Sequence, residues 1–115
     1  MILRAMAYDE ELADRVRELV QREDGLTEKR MFGGLAFLIN GNMAVSASSK
    51  GGLLLRVDPA QTGSLVAEPH ASRFEMRGRE MDGWLRIDPA AVTTKSALQR
   101  WVRIGVRYAR SLPVK

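Results

Sequence analysis

The sequence predicts one α+β domain of 115 residues, a two-layer sandwich in which helices pack on a mainly antiparallel sheet. Three observations lead to this prediction. Apolar residues recur at helical spacing near both ends of the chain, the middle consists of short apolar runs broken by glycine, and one strand-to-helix junction occurs twice. The predicted element order is α-β-β-β-α-β-β-α.

The first helix is predicted at about residues 9–23. Asp9 can cap its N-terminus, and Glu10 and Glu11 place negative charge in the first turn, where the helix dipole favours it. Gly25 stands where a left-handed C-terminal cap is expected. The residues that recur at helical spacing and form the apolar face are Leu12, Val16, Leu19 and Val20.

An antiparallel meander of three strands follows. The runs Leu35–Ile39 and Asn42–Val45 flank an Asn-Gly pair, which supplies the two residues of positive φ that a type I′ turn needs. A glycine-rich loop then leads into the third strand, Leu53–Val57. Gly33 and Gly34, just before the hairpin, are expected to allow a bulge, a bend or the close approach of another backbone.

The junction that occurs twice is Leu-Arg-Val/Ile-Asp-Pro-Ala, at residues 55–60 and 85–90. In each copy an apolar strand ends at an aspartate that can cap a helix, and proline follows at the first helical position, where its missing N–H costs nothing. The first junction predicts a short helix that runs to about Ala67. Between the junctions, a strand around Phe74, a turn and a return strand at Gly83–Ile87 predict a second hairpin.

The last helix is predicted to begin near Asp88 or, after a break, near Thr94. Its helical period places one broad apolar face on the sheet, made of Leu98, Trp101, Val102, Gly105, Tyr108, Ala109 and Leu112. Four arginines fall on the opposite side within roughly 80° of arc. We call these four side chains, Arg100, Arg103, Arg107 and Arg110, the arginine stripe.

A set of methionine, glycine and aromatic residues gives the sequence a family resemblance. The set consists of Met31, Phe32, Gly33, Gly34, Gly78, Arg79, Met81, Gly83 and Trp84. With the residues around them, they resemble the N-terminal domain of the TfoX/Sxy regulators of natural competence over about residues 8–113. The resemblance implies a fold similar to that of the type III secretion chaperones. It also implies a regulatory adaptor whose protein partner is a transcription regulator.

Founding members of that family carry a second, C-terminal domain. We expect this chain to be a stand-alone N-terminal domain that occupies residues 1–115, with residues 1–7 as a flexible or extended segment. No catalytic residue of the family exists to be carried over onto positions in this sequence.

Composition argues against several classes of function. The chain has no cysteine, which excludes a disulfide framework, a thiolate metal site and a cysteine nucleophile. His70, the one histidine, has no catalytic pattern around it, and the acids near Asp9 match no calcium loop. We therefore predict no catalytic residue, no metal site, no cofactor and no enzymatic activity. Without a signal peptide or a membrane-spanning apolar run, the predicted location is cytoplasmic.

The positive charge of the chain is local. The net charge is +4, but residues 95–115 carry +6 and residues 1–94 carry −2. The arginine stripe can meet an acidic protein surface, including the acidic first helix of a second copy in a homodimer. It can also meet the phosphates of a nucleic acid, or it is simply a solvated helix face.

The favoured hypothesis is a regulatory domain that acts through protein–protein contact, in transcriptional or competence regulation. One alternative is nucleic-acid binding through the basic last helix. The other is a small-ligand-binding or enzymatic domain with an unrecognised pocket between that helix and the sheet.

Overall fold

The computed structural model describes residues 8–31 and 33–115 of the chain. Helices and strands in these ranges are α1 (Glu10–Val20), β1 (Leu26–Met31), β2 (Gly34–Ile39), β3 (Asn42–Ala47), β4 (Leu53–Arg56), α2 (Thr62–Val66), β5 (Ala71–Met76), β6 (Arg79–Ile87) and α3 (Lys95–Ser111). Two short 3₁₀ turns, Pro59–Gln61 and Pro89–Val92, precede α2 and α3. The predicted N-terminal segment, residues 1–7, and Phe32 lie outside the described residues.

The strands form one sheet in the order β1-β2-β3-β4-β6-β5, and every neighbouring pair is antiparallel. This confirms the predicted α+β class and the antiparallel sheet. The observed order has four strands before α2 instead of three, because the apolar pattern does not reveal β1. That strand lies at the edge of the sheet and its four central residues are polar and exposed, so it lacks the alternation of a half-buried strand.

Both predicted hairpins are present. In the first turn Asn40 has φ 53° and Gly41 has φ 84°, as a type I′ turn requires. In the second turn Arg77 and Gly78 also have positive φ. The close backbone approach expected at the glycine pair is found at Gly34, where a Cβ atom would lie only 2.2 Å from the Ala47 carbonyl oxygen.

The predicted capping residues are found at the helix starts, but the first helix is shorter than predicted. Asp9 accepts a hydrogen bond from the Leu12 N–H at 3.1 Å, but α1 ends at Val20, and Gly25 takes its positive φ beside β1 rather than at the end of the helix. At the two repeated junctions the aspartates accept backbone N–H bonds of 2.9 Å, and each begins a 3₁₀ turn. Helix α3 begins after a break, with Thr94 as its cap.

All three helices pack on the same face of the sheet. The main core lies between them and this face, and Gly105 lets α3 approach β3 so closely that a Cβ atom there would lie 2.4 Å from the Ala44 carbonyl oxygen. A second apolar cluster lies on the opposite face of the sheet. It consists of the buried Ala36, Leu38, Met43 and Leu54 and the partly buried Met31, Phe74 and Trp84.

None of the helices in residues 8–31 and 33–115 has the length and apolarity needed to cross a membrane.

Candidate functional site

Helix α3 presents the arginine stripe on its outer side. The Thr94 hydroxyl accepts a hydrogen bond from the Ala97 N–H at 3.2 Å, which fixes the start of the helix. Its buried face consists of Leu98, Trp101, Val102, Gly105, Val106 and Ala109. Tyr108 and Leu112, which were expected on that face, are only partly buried. This register leaves all four stripe arginines, Arg100, Arg103, Arg107 and Arg110, exposed.

Arg100 is already engaged within the chain. Its two terminal nitrogens donate to the two carboxylate oxygens of Glu68 at 2.8 and 2.5 Å, and its Cζ lies 4.7 Å from the centroid of the Trp101 ring. The hydrogen bonds from the guanidinium, and then its charge, lower the pKa of the Glu68 carboxyl. The pair fixes the α2–β5 connection to α3, so this arginine is only partly available to a partner.

Arg110, at the other end of the stripe, is also engaged. It donates to Glu23 at 2.8 Å and to the backbone carbonyl of Asp24 at 2.9 Å, both in the segment after α1. At the start of α3, the Lys95 Nζ atom lies 4.0 Å from the Glu18 Oε1 atom of α1. The acidic first helix, which the sequence suggested as a contact for a second copy, is therefore a neighbour of α3 in the same chain.

Arg103 and Arg107 differ from these two residues. Both side chains are exposed, and neither forms a hydrogen bond or an ion pair with any residue that the structure describes. They are four positions apart on α3 and so lie on neighbouring turns of one face. We call Arg103 and Arg107 the free arginines.

A groove adjoins Arg107 between α3 and the segment that contains the first 3₁₀ turn and α2. It has a volume of about 320 Å³ and is lined by Asp58, Gln61, Leu65, Ile104, Arg107, Tyr108 and Ser111. We call it the α2–α3 groove. The side chains of Leu65, Ile104 and Tyr108 are partly buried and supply apolar surface, and the other four supply a carboxylate, an amide, a guanidinium and a hydroxyl. Apolar surface with a few polar groups around it is typical of a binding site.

The family comparison identifies the chain. The family model described as the TfoX N-terminal domain matches residues 18–109. The chain belongs to the TfoX N-terminal domain family. No curated protein and no solved structure matches it. The resemblance that the sequence suggested is therefore confirmed at the level of the family.

The TfoX motif residues fall into two places in the structure. The first group lies at the connection from β1 to β2, where Met31, the last residue of β1, packs on the second apolar cluster and the backbone of Gly33 lies against Ser49. Phe32, between them, is outside the described residues. The second group lies along the β5–β6 hairpin, in the order Gly78, Arg79, Met81, Gly83 and Trp84. None of the described residues of these two groups lines the α2–α3 groove directly.

Gly83 nevertheless supports one wall of the groove. Its N–H donates to the hydroxyl of Thr62 at 2.8 Å, and its carbonyl accepts from the Val57 N–H at 2.9 Å. The backbone also lies against Pro59, which a Cβ atom on Gly83 would approach to 3.1 Å. These contacts fix the 3₁₀ turn and α2, which carry Asp58, Gln61 and Leu65.

Trp84 supports the other wall. The Cζ atom of Arg56 lies 5.2 Å from the Trp84 ring centroid and 5.7 Å from the Tyr108 ring centroid, so the guanidinium is within cation–π distance of both rings. A cation near an aromatic face is attracted by the ring quadrupole. Arg56 thus contacts both Trp84 and a residue that lines the groove on α3.

The sequence hypothesis omitted most residues of the groove. Arg56 and Asp58 belong to the junction that occurs twice, at residues 55–60 and 85–90. Because the two copies have nearly the same sequence, the sequence does not indicate which copy lies beside α3. Ile104 and Tyr108 flank the buried face of α3, and a helical period alone does not distinguish a groove wall from core. The groove arises from tertiary packing, and the one stripe residue that lines it is Arg107.

Two other residues that the sequence analysis considered, His70 and Asp9, do not line the groove. His70 is exposed, with φ 68°, in the turn before β5, and Asp9 acts as the cap of α1. In the part of the chain that the structure describes, no group of three or more His, Asp or Glu side chains is placed to hold a metal ion.

Proposed function

We propose that this TfoX N-terminal domain is a non-catalytic regulatory adaptor that acts through protein–protein contact, with the outer face of α3 as its contact surface. The observation that carries the proposal is the pair of free arginines. Arg103 and Arg107 are exposed and unpaired among the described residues, while the partly buried Ile104 lies between them in the sequence. Arginine beside apolar surface is the combination enriched in protein interfaces.

The ion pairs of the stripe favour a protein partner over a nucleic acid. Affinity for nucleic acid grows with the number of phosphates that cations neutralise. Arg100 and Arg110 are already neutralised by Glu68 and Glu23, so the stripe offers two cations rather than four. Two cations are enough to contact an acidic patch on a protein. Each arginine can donate two parallel hydrogen bonds to a carboxylate of that patch.

The partner we propose is a transcription regulator, as the founding members of the family regulate DNA-uptake genes. A homodimer in which α3 contacts the acidic α1 of a second copy stays a prediction. It was based on the opposite charges of the two helices. In the structure, however, Glu18 and Glu23 already lie near Lys95 and Arg110 of the same chain.

Charge reversal tests this proposal. The variant Arg103→Glu/Arg107→Glu changes the charge of the contact surface, and the matched control Arg30→Glu/Arg77→Glu makes the same change at two exposed residues, on β1 and in the β5–β6 turn. Each tagged protein is crosslinked in the cells to which the chain is native, and bound proteins are identified by mass spectrometry. We expect a transcription regulator to be crosslinked to the parent chain and to the control, and to be lost from the α3 variant.

A mobility-shift assay with duplex DNA at low salt accompanies the crosslinking. Binding of DNA by the parent chain that is lost in the α3 variant would favour the nucleic-acid alternative. A crosslinked partner that both variants keep would refute the placement of the contact on α3.

A further inference from the structure

We propose that the α2–α3 groove binds a short segment of the partner protein that carries an acidic side chain next to an apolar one. This inference rests on the proposed function, since it names the partner chemistry for the same face of the molecule. It differs in assigning the recognition to one groove and to Arg107, whereas the broader proposal uses both free arginines.

The groove has the size and surface for one side chain and its flanking backbone. A volume of about 320 Å³ is at the small end of ligand sites, which suits a short segment rather than a large cofactor. Leu65, Ile104 and the ring of Tyr108 provide apolar contact for an aliphatic side chain. Burial of such a side chain supplies the non-directional part of the affinity.

The charges of the groove select an acidic neighbour for that side chain. Arg107 has no hydrogen-bond or ion-pair partner among the described residues, so its guanidinium can receive a carboxylate in a bidentate arrangement. Asp58 lines the same groove but does not pair with Arg107, and one of its oxygens caps the 3₁₀ turn through the Ala60 N–H at 2.9 Å. Its carboxylate can also accept a backbone N–H from the bound segment, which leaves the acidic side chain to Arg107.

Both walls of the groove are held in place before binding. Gly83 is bonded to the α2 wall through the 2.8 Å bond to Thr62, and Arg56, which also contacts Trp84, lies 5.7 Å from the Tyr108 ring centroid on the α3 wall. A site that is already ordered loses less side-chain and backbone freedom on binding, so more of the contact energy appears as affinity. The motif Gly83-Trp84 therefore acts as a positioning element for the groove.

A protein segment fits this arrangement better than a nucleic acid or a lipid surface. Arg107 beside apolar side chains matches one carboxylate beside one aliphatic side chain, and Asp58 can accept an N–H of the segment's backbone. A phosphodiester backbone needs several cations in a row, and a membrane surface is recognised by clusters of basic residues.

The test is an NMR titration of the ¹⁵N-labelled full chain with three acetylated and amidated tetrapeptides, Gly-Asp-Leu-Gly, Gly-Lys-Leu-Gly and Gly-Asp-Ser-Gly. We expect saturable shifts at the amides of the groove residues with the first peptide. The second and third peptides should bind about tenfold more weakly, since each lacks one of the two recognised groups.

Two variants locate the binding. Arg107→Gln should weaken Gly-Asp-Leu-Gly about tenfold, whereas Arg30→Gln, at an exposed arginine on β1 outside the groove lining, should leave the affinity unchanged. The amide spectrum of each variant verifies that the fold is intact. Equal weakening by both variants, or shifts that do not cluster at the groove, would overturn the assignment.

The remaining outcomes separate this inference from the proposed function. If none of the peptides shifts the groove amides up to millimolar concentration, the groove assignment is wrong, even if crosslinking still places a partner on α3. If the peptide binds the groove but no partner depends on the free arginines, the groove assignment stands and the adaptor proposal fails. Stronger groove shifts with a thymidine hexanucleotide or with anionic vesicles than with the peptide would overturn the choice of a protein segment.

Discussion

Two glycines in helices have opposite roles at the level of the single residue. Gly105 lies in α3 against β3, where a Cβ atom would meet the Ala44 carbonyl oxygen at 2.4 Å and a Leu55 methyl group at 2.7 Å. Gly63 lies in α2 with nothing within 4 Å of the same position. The first glycine is required by packing, and the second only costs the helix conformational freedom.

Alanine at these two glycines should therefore change stability in opposite directions. Gly105→Ala is expected to lower the free energy of unfolding by about 1–3 kcal/mol, because α3 must move away from β3. Gly63→Ala is expected to raise it by about 0.5 kcal/mol through helix propensity. Urea unfolding followed by circular dichroism measures both. A Gly105→Ala protein as stable as the parent would show that α3 does not approach β3 this closely.

The Arg100–Glu68 pair acts at the level of elements, since it joins the α2–β5 connection to a helix 32 residues later. Both side chains are partly exposed, at 50% and 34%, so solvent screens the pair and its stabilisation is expected to stay below about 1 kcal/mol. The pKa of the Glu68 carboxyl is lowered in the folded chain, chiefly by the hydrogen bonds from Arg100.

The lowered pKa gives the pair a defined pH dependence. Its stabilisation is complete above 4.5, the ordinary pKa of glutamate, and is lost as the pH falls through the lower pKa of the folded state. A double-mutant cycle with Glu68→Gln and Arg100→Gln should give a coupling energy at pH 7 that decreases as the pH falls below 4.5. The same cycle with Arg103→Gln in place of Arg100→Gln should give none at any pH. Coupling that persists in acid would contradict an ion pair.

At the scale of the whole molecule, the last residues of the chain pack on the β2–β3 turn. The side chain of Asn42, only 2% exposed, donates to the Pro113 carbonyl at 2.9 Å, and the Lys115 N–H donates to the Asn40 carbonyl at 2.9 Å. These bonds connect residues about 70 positions apart. They hold the segment after α3 on the first hairpin of the sheet.

Loss of the Asn42 side chain should weaken this long-range contact. Asn42→Ala leaves the Pro113 carbonyl without its partner and is expected to destabilise the fold by about 1–2 kcal/mol. Carboxypeptidase should also remove the final residues faster. Val114→Ala is the control, because that side chain is 73% exposed and its loss should change neither property. Equal effects of the two substitutions would refute the role of the Asn42 amide.

Local chemistry made much of this fold predictable, while its functional surface depended on distant contacts. The Asn-Gly turn and the aspartate caps follow from residues adjacent in sequence, and they were found where expected. Strand β1 could not be recognised, because an edge strand exposed on both faces carries no apolar period. The stripe arginines were identified by their register, but Glu68 and Glu23 neutralise two of them from 32 and 87 positions away.

The guanidinium of Arg56 lies within about 6 Å of two ring centroids, those of Trp84 on the second apolar cluster and of Tyr108 in the groove. Arg56 thus contacts one ring on each side of the sheet. If a ligand of the far side moved Trp84 and, through Arg56, changed the affinity of the groove, the two binding sites would be coupled. By thermodynamic reciprocity, filling the groove would change the affinity for that ligand by the same factor.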